Sequence, residues 1–168
     1  MIKVSNSEKK LETYFNMDIF SAETKERANK AEILLLPDFN IRENVDRAFQ
    51  ADTFSFYKYS MSVKNNDYNI ELFENKGEEK VLALHSFDIW IPTMMIFSEV
   101  VFPVAINLVS SYVYDRMKGR PNDEPTVHFN LVIENKEKGI SKNLSYKGSA
   151  EEFKNSFEKI DINKFWED

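Results

Sequence analysis

Apolar residues are concentrated in one stretch of the chain, 89–114, which reads IWIPTMMIFSEVVFPVAINLVSSYVY. The stretch contains a single carboxylate and no basic residue. Pro92 and Pro103 interrupt it, and proline is accepted in the first turn of a helix but costs about 3 kcal/mol inside one. The pattern therefore predicts either two helices, roughly 93–101 and 103–118, or one kinked helix.

The few polar residues of this stretch follow a helical spacing. If one helix continued through Pro103, these residues would share one face, in the order Glu99, Asn107, Ser110 and Tyr114. The proline would also leave the Glu99 carbonyl without its usual helical donor, so another group must replace it. The sequence therefore predicts a narrow polar stripe on an otherwise apolar helix.

Three interpretations of the apolar stretch are open. The favoured one is a nearly buried helix that packs on a sheet, because hairpins are predicted on both sides of it. The second is an interface, in which a partner or a second copy covers the helix. The third is a transmembrane span, since about 20 apolar residues cross a bilayer and the basic flank would lie in the cytoplasm, with Arg116, Lys118 and Arg120.

Alternation of apolar and polar residues predicts the strands. Residues 68–74 and 80–86 are expected to form one hairpin, and 127–134 with 140–146 a second. The short apolar run 33–36, followed by a proline and an aspartate, is typical of a strand that is buried on both faces.

Capping residues predict helices elsewhere in the chain. A Ser, Thr, Asp or Asn before an apolar-periodic segment is the usual start signal, and a Glu three residues later strengthens it. The predicted helices are 6–17 after Ser5, 22–30 after Ser21, 53–64 after Asp52, and one that begins after Ser149. The predicted fold is therefore a single α+β domain spanning 1–168. A mixed sheet of two hairpins and a short buried strand packs on a long broken apolar helix and on flanking helices.

Composition narrows the function classes. The net charge is −6, from 28 acidic and 22 basic residues, which argues against a nucleic-acid binder, because such proteins cluster Lys and Arg. There are no cysteines, so disulfides, thiolate nucleophiles and Cys-based zinc sites are excluded. The amino-terminal residues contain no apolar signal region, and we expect a cytoplasmic protein.

Candidate chemistry is sparse. His85 and Asp88 lie where the second predicted strand meets the apolar stretch, and with Glu99 they could hold a metal or act as a general base. Their spacing matches no known ligand pattern, and the commoner role of such residues is to cap and hydrogen-bond. His128 is expected on the solvent face of a strand. No nucleophile, phosphate-loop or zinc-protease motif occurs in the chain. We therefore expect no cofactor and no metal, and we favour a protein that is not an enzyme.

Phe165 and Trp166 form an aromatic tail. The tail could dock on a partner, but the commoner case is a tail that covers the core of its own domain, which we favour.

Three segments, Trp90–Pro92, Phe102–Leu108 and Ser145–Phe153, together resemble a group of uncharacterised bacterial proteins associated with mobile elements and defence against phage. The resemblance covers about the last half of the chain and carries no catalytic residue. It implies a small accessory or partner-binding protein.

The leading hypothesis is a non-catalytic cytoplasmic protein-interaction or regulatory module that binds a partner or a second copy. The residues expected to carry the interaction are Glu99, Asn107, Ser110, Tyr114, Phe165 and Trp166. One alternative is a small-ligand binder or enzyme with a pocket near His85, Asp88 and Glu99. The other is a membrane-associated effector that uses 89–114.

Overall fold

The computed structural model describes residues 1–63, 68–83, 87–119 and 124–166. Its helices are α1 (Leu11–Phe15), α2 (Ala22–Asn29), α3 (Thr53–Val63), α4 (Val101–Met117) and α5 (Ala150–Glu158), and a 3-10 helix spans Ile162–Trp166. Its strands are β1 (Ile2–Ser7), β2 (Ile33–Leu36), β3 (Asp38–Arg42), β4 (Val45–Ala48), β5 (Ile70–Leu72), β6 (Ile89–Trp90), β7 (Thr93–Ile96), β8 (Thr126–Asn135) and β9 (Ile140–Ser149). The predicted α+β class is confirmed.

The main sheet is mixed. Its strand order is β1-β9-β8-β7-β2-β5, and β6 also pairs with β8. The pairs β1–β9, β9–β8 and β7–β2 are antiparallel, whereas β8–β7, β8–β6 and β2–β5 are parallel. Strands β3 and β4 form a separate two-stranded sheet. The parallel pairs join strands that are distant in the sequence, so the long connections between them must carry helices.

The sheet lies between two apolar clusters, because its central strands are apolar on both faces. In β2, Ile33 and Leu35 belong to one cluster, and Leu34 and Leu36 belong to the other. The first cluster takes its helical residues from α3, α4 and α5, and the second from α1 and α2. The helices therefore cover both faces of the sheet, and α3, α4 and α5 lie together on one of them.

Several predicted elements are confirmed. Helix α2 begins at the Ser21 cap, whose hydroxyl accepts the Thr24 amide at 3.1 Å. Helix α5 begins in the same way, because Ser149 accepts the Glu152 amide at 3.2 Å. The predicted buried strand at 33–36, the helix from residue 53 and the second hairpin also form.

The apolar stretch is divided between the sheet and one helix, so the helix predicted over 93–101 is wrong. Thr93–Ile96 is strand β7, which lies between β2 and β8. All four of its residues are buried. A strand buried on both faces has a continuous apolar run, which periodicity alone does not distinguish from a buried helix.

Pro103 does not kink a helix, because it is the third residue of α4. Proline is accepted in the first turn, where amides have no helical acceptor. The Glu99 carbonyl accepts the Phe102 amide at 3.3 Å. The Phe102 amide therefore replaces the donor that Pro103 cannot supply to the Glu99 carbonyl. Within the described parts of the chain, no helix is both long enough and apolar enough to span a membrane.

Two further predictions near the sheet edges are wrong. The predicted hairpin of 68–74 with 80–86 is not formed, because β5 pairs in parallel with β2, and Val81 makes a single bridge with Phe49. Residues 84–86 of this prediction lie outside the described residues. The helix predicted over 6–17 is shorter. Its first residues belong to the edge strand β1, and α1 begins at Leu11 without a side-chain cap.

Candidate functional site

The polar residues of the apolar stretch lie along α4 and just before it. Glu99 is exposed in the turn that precedes the helix, and Asn107 is exposed on its surface. Ser110 is half-buried, and Tyr114 is 67% exposed. At 1.5 Å per residue, Glu99 and Tyr114 are about 20 Å apart along the helix axis. Glu99, Asn107 and Tyr114 are therefore solvent-facing, and the two ends of the stripe belong to different regions of the surface.

A groove of about 710 Å³ lies at the carboxyl end of α4, between this helix, α3 and the first turn of α5. We call it the helical groove. Its lining residues are Tyr59 from α3; Ser110, Ser111, Val113, Tyr114, Asp115, Met117 and Lys118 from α4; and Ala150, Glu151, Phe153 and Lys154 from α5. More of its surface is apolar than polar. Of the predicted interaction residues, Ser110 and Tyr114 line it.

Charged groups of both signs surround the helical groove. Asp115 and Glu151 contribute carboxylates, and Lys118 and Lys154 contribute ammonium groups. The Lys118 ammonium lies 5.2 Å from the centroid of the Tyr114 ring, which is within the range of a cation–π interaction. The groove is therefore an apolar trough with a mixed-charge rim.

A buried carboxylate fixes the two longer helices of the groove. Asp52, at the start of α3, accepts hydrogen bonds from the Tyr112 hydroxyl and from the Trp90 amide, both at 2.7 Å. Arg116 approaches the same carboxylate at 3.6 Å. Burial raises the pKa of Tyr112, and the bond to Asp52 raises it further. Tyr112 thus remains a neutral donor that ties α4 to α3 and to strand β6.

Aromatic packing extends this junction into the groove. The Tyr112 ring contacts Tyr59 at 5.8 Å and Phe56 at 5.5 Å between ring centroids, both in edge-to-face geometry. Such pairs stabilise by about 0.5–1.5 kcal/mol beyond their burial. Tyr59, which lines the groove, is therefore held in place by Tyr112, which is itself bonded to Asp52. The sequence predicted Asp52 as a cap, and nothing in its local pattern indicated Tyr112 as its partner.

Glu99 and Trp166 line a second cavity, of about 420 Å³, at the opposite end of α4. Phe165 and Trp166 belong to the 3-10 helix and pack, partly buried, against the first apolar cluster. Ile162, in the same turn, is 7% exposed. The aromatic tail thus contacts the core of its own chain, as in the favoured interpretation.

The two candidate catalytic residues that the structure describes, Asp88 and Glu99, are not brought together. Asp88 lies beside the start of β8, where its carboxylate is 3.1 Å from Nε2 of His128 and accepts the Thr126 amide at 3.2 Å. The hydrogen bond from His128 lowers the pKa of Asp88. The His128 ring stacks on Trp90 at 3.6 Å, with 3° between the ring planes. The expectation of a solvent-facing His128 is wrong, since its side chain is 17% exposed and paired.

Glu99 lies far from this pair. Strand β6, next to Asp88, pairs with β8 at Val127, whereas β7, which precedes Glu99, pairs with β8 as far as Ile133. Six residues of extended strand span about 20 Å. His85 lies outside the described residues. Among the described residues, no three His, Asp or Glu side chains come together as a ligand set for a metal ion.

The structure thus defines an α+β protein with a mixed sheet and a helical groove on one face. Comparison of the chain with protein families, curated proteins and solved structures gave no match. Function is therefore argued from the residues of the surface itself, because a fold alone does not specify one.

Proposed function

We propose that this protein is a non-catalytic interaction module and that a partner protein docks in the helical groove. The observation that carries the proposal is Tyr114, which is 67% exposed on the wall of a 710 Å³ groove. The occupant is a short helical segment of the partner that inserts an apolar anchor side chain between α3, α4 and α5.

The groove has the rigidity that such docking requires. Val113 and Phe153 line it and are 2% and 1% exposed, so its floor is part of the folded core. Phe153 packs edge-to-face on Tyr146 of the sheet, with 5.0 Å between the ring centroids. A preformed floor reduces the entropy lost on binding, because few side chains must be ordered.

Tyr114 has the properties of a contact residue. Tyrosine presents a large amphipathic ring with only two side-chain torsions, and it is enriched among residues that dominate binding energy. Covering the ring would bury apolar area that is now in water, while the hydroxyl can stay at the wet rim.

The charged rim specifies the chemistry of the partner. Two carboxylates, Asp115 and Glu151, and two ammonium groups, Lys118 and Lys154, line the groove together with its apolar residues. A segment whose apolar anchor is flanked by charges of both signs complements this rim, whereas a polyanion meets two carboxylates. The proposed partner is therefore a protein segment and not a nucleic acid.

The other candidate surfaces have less support. The cavity beside Glu99 and Trp166 is smaller, at about 420 Å³, and its lining is more polar than apolar. The Asp88–His128 pair lines neither of the two cavities. A general base needs room for a substrate within hydrogen-bond reach, and neither cavity supplies such room beside His128.

The resemblance described above supports a setting for this activity. We place the protein, within the same proposal, among cytoplasmic accessory components of bacterial or phage conflict systems. In that setting the partner would be another component encoded beside it, and the neighbouring genes are the first place to look for the docking segment.

Site-specific photocrosslinking tests the proposal in the native cell. A photoreactive amino acid is placed at position 114, and in a matched variant at Val100, which is 81% exposed at the other end of α4. Mass spectrometry then identifies the crosslinked segment. We expect one discrete partner segment with an apolar anchor at position 114 and none at position 100.

Recovery of the segment is followed by a binding measurement with the purified protein. A synthetic peptide of that sequence must bind the isolated chain, and its binding site must include Tyr114. Equal crosslinking at both positions, or a segment that does not bind in isolation, would overturn the assignment of the groove.

A further inference from the structure

The two edges of the main sheet, β5 and β1, differ in how they are protected from pairing with a further strand. The β5 edge is three residues long, and Arg27 of α2 donates to the carbonyls beside it, at 2.9 Å to Glu74 and 3.5 Å to Leu72. The β1 edge is six residues long and pairs with β9 in uninterrupted register. It contains neither a proline nor a bulge, which are common devices that block edge pairing.

The hydrogen-bond pattern shows which groups of β1 face outward. The backbones of Met1 and Lys147 exchange both bonds, at 3.3 and 3.4 Å. Bonded and non-bonded pairs alternate along an antiparallel ladder, so odd-numbered residues of β1 bond to β9. The amides and carbonyls of the even-numbered residues therefore point away from the sheet, at Ile2, Val4 and Asn6.

We infer that this edge pairs antiparallel with β1 of a second copy, about a twofold axis that passes between the two Val4 residues. The outward-facing set is symmetric about Val4. In this register Val4 meets the partner's Val4, and Ile2 meets the partner's Asn6. Each of these pairs exchanges two backbone bonds, which gives about six across the interface. The two sheets become one continuous sheet.

The side chains suit a second copy in this register. A twofold axis perpendicular to the sheet keeps equivalent faces on the same side, so like faces meet. Val4, which is 50% exposed, is covered by its own equivalent. Lys3 is the single charged residue of β1, and it stands opposite the partner's Ser5. No like charges are therefore directly opposed across the axis.

Cysteine crosslinking provides the test, because the chain has no cysteine of its own. In a bonded antiparallel pair the Cα atoms are about 5.5 Å apart, which lies within the range of a disulfide. Val4→Cys therefore forms a covalent dimer under mild oxidation. The matched control is Asn6→Cys, whose equivalents would be offset by four residues, or about 14 Å, and cannot be bridged.

A second variant tests the same interface without a covalent crosslink. Val4→Pro removes an outward-facing amide and leaves the β9 ladder intact, since proline is accepted on an edge strand when its nitrogen faces solvent. Sedimentation velocity should give about twice 19.7 kDa for the unmodified chain and the monomer mass for Val4→Pro, with unchanged circular dichroism.

Three results would overturn the inference. They are a monomeric unmodified chain at all accessible concentrations, equal crosslinking of the Val4→Cys and Asn6→Cys variants, and a Val4→Pro variant that stays dimeric. The last would show that the dimer interface does not use the β1 edge. None of these results bears on whether a different protein docks in the helical groove.

Discussion

The hydroxyl of Tyr112 donates a 2.7 Å hydrogen bond to the carboxylate of Asp52, and this contact joins the two helices that form the longer walls of the helical groove. Asp52 is 6% exposed and Tyr112 is 3% exposed. The same carboxylate accepts the Trp90 amide, so one side chain links α3, α4 and the sheet. The groove is thus built on a buried polar junction.

Replacement of Asp52 by Ala should destabilise the protein strongly. The change leaves the Trp90 amide and the Tyr112 hydroxyl without their acceptor, and each buried unpaired group costs about 1–3 kcal/mol. We expect the free energy of unfolding to fall by about 2–6 kcal/mol. Urea denaturation followed by circular dichroism measures it. Tyr112→Phe removes one bond and should cost about 1 kcal/mol; equal losses in the two variants would contradict the role of Asp52.

A second polar contact, the ion pair between Arg47 of β4 and Glu74, should also stabilise the fold. Its two bonds are 2.6 and 3.0 Å long, and its side chains are 12% and 2% exposed. Glu74→Ala removes this partner, while Asp46 and Glu78 remain 3.0 Å from the guanidinium. We therefore expect a loss of about 1.5–3 kcal/mol, which is the range for hydrogen bonds to a charged group. The control is Glu26→Ala, which removes a 3.5 Å pair with Lys30 in which both side chains are 72% exposed. Thermal unfolding should show a large loss in the first variant and no measurable change in the second.

Alkaline pH should weaken the fold partly through Tyr14. Burial raises the pKa of Tyr14 to about 12, with a further contribution from the Asp38 charge. The unfolded chain loses the same proton near pH 10. Between about pH 10 and pH 12 the folded state therefore binds more protons, so stability is complete below this window and falls as the pH rises through it.

The matched variant for this effect is Tyr14→Phe. Urea midpoints measured from about pH 9 to about pH 11 should decline less steeply in the variant than in the unmodified chain. A residual decline is expected, because burial also raises the pKa values of Tyr57, Tyr112 and Tyr146. Identical slopes would show that Tyr14 ionises equally in both states.

Local patterns predicted the elements whose neighbours are close in sequence. Apolar and polar residues alternate along the hairpin of β8 and β9, as expected for strands with one buried face. Helix α5 has both a capping serine and a regular apolar face. Strand β2 was recognisable because four apolar residues are followed directly by Pro37. In each case the signal is contained in a single short segment.

The elements that local patterns missed depend on distant partners. Strand β7 resembles a helix because both of its faces are buried, and only pairing with β2 and β8 makes it a strand. Strand β5 pairs with β2 from 37 positions away in the chain, as between Ile33 and Ile70, and no turn residue indicates such a pairing. Parallel pairing has no hairpin to mark it.

Only part of the candidate site was predictable from local patterns in the sequence. The exposed position of Tyr114 follows from the helical spacing of α4, which the sequence gives directly. Its neighbours Tyr59 and Phe153 come from helices that lie about 40 to 55 residues before and after it in sequence. Their assembly into a groove depends on tertiary packing.

The most direct test of the docking surface is an affinity measurement with the segment captured at position 114. Fluorescence anisotropy compares its binding to the unmodified chain, to Tyr114→Ala and to Val100→Ala. Truncation of a dominant contact residue costs at least about 1.4 kcal/mol, which is a tenfold loss of affinity. We predict that loss for Tyr114→Ala and unchanged affinity for Val100→Ala. Equal affinities of the unmodified chain and Tyr114→Ala would contradict docking in the helical groove.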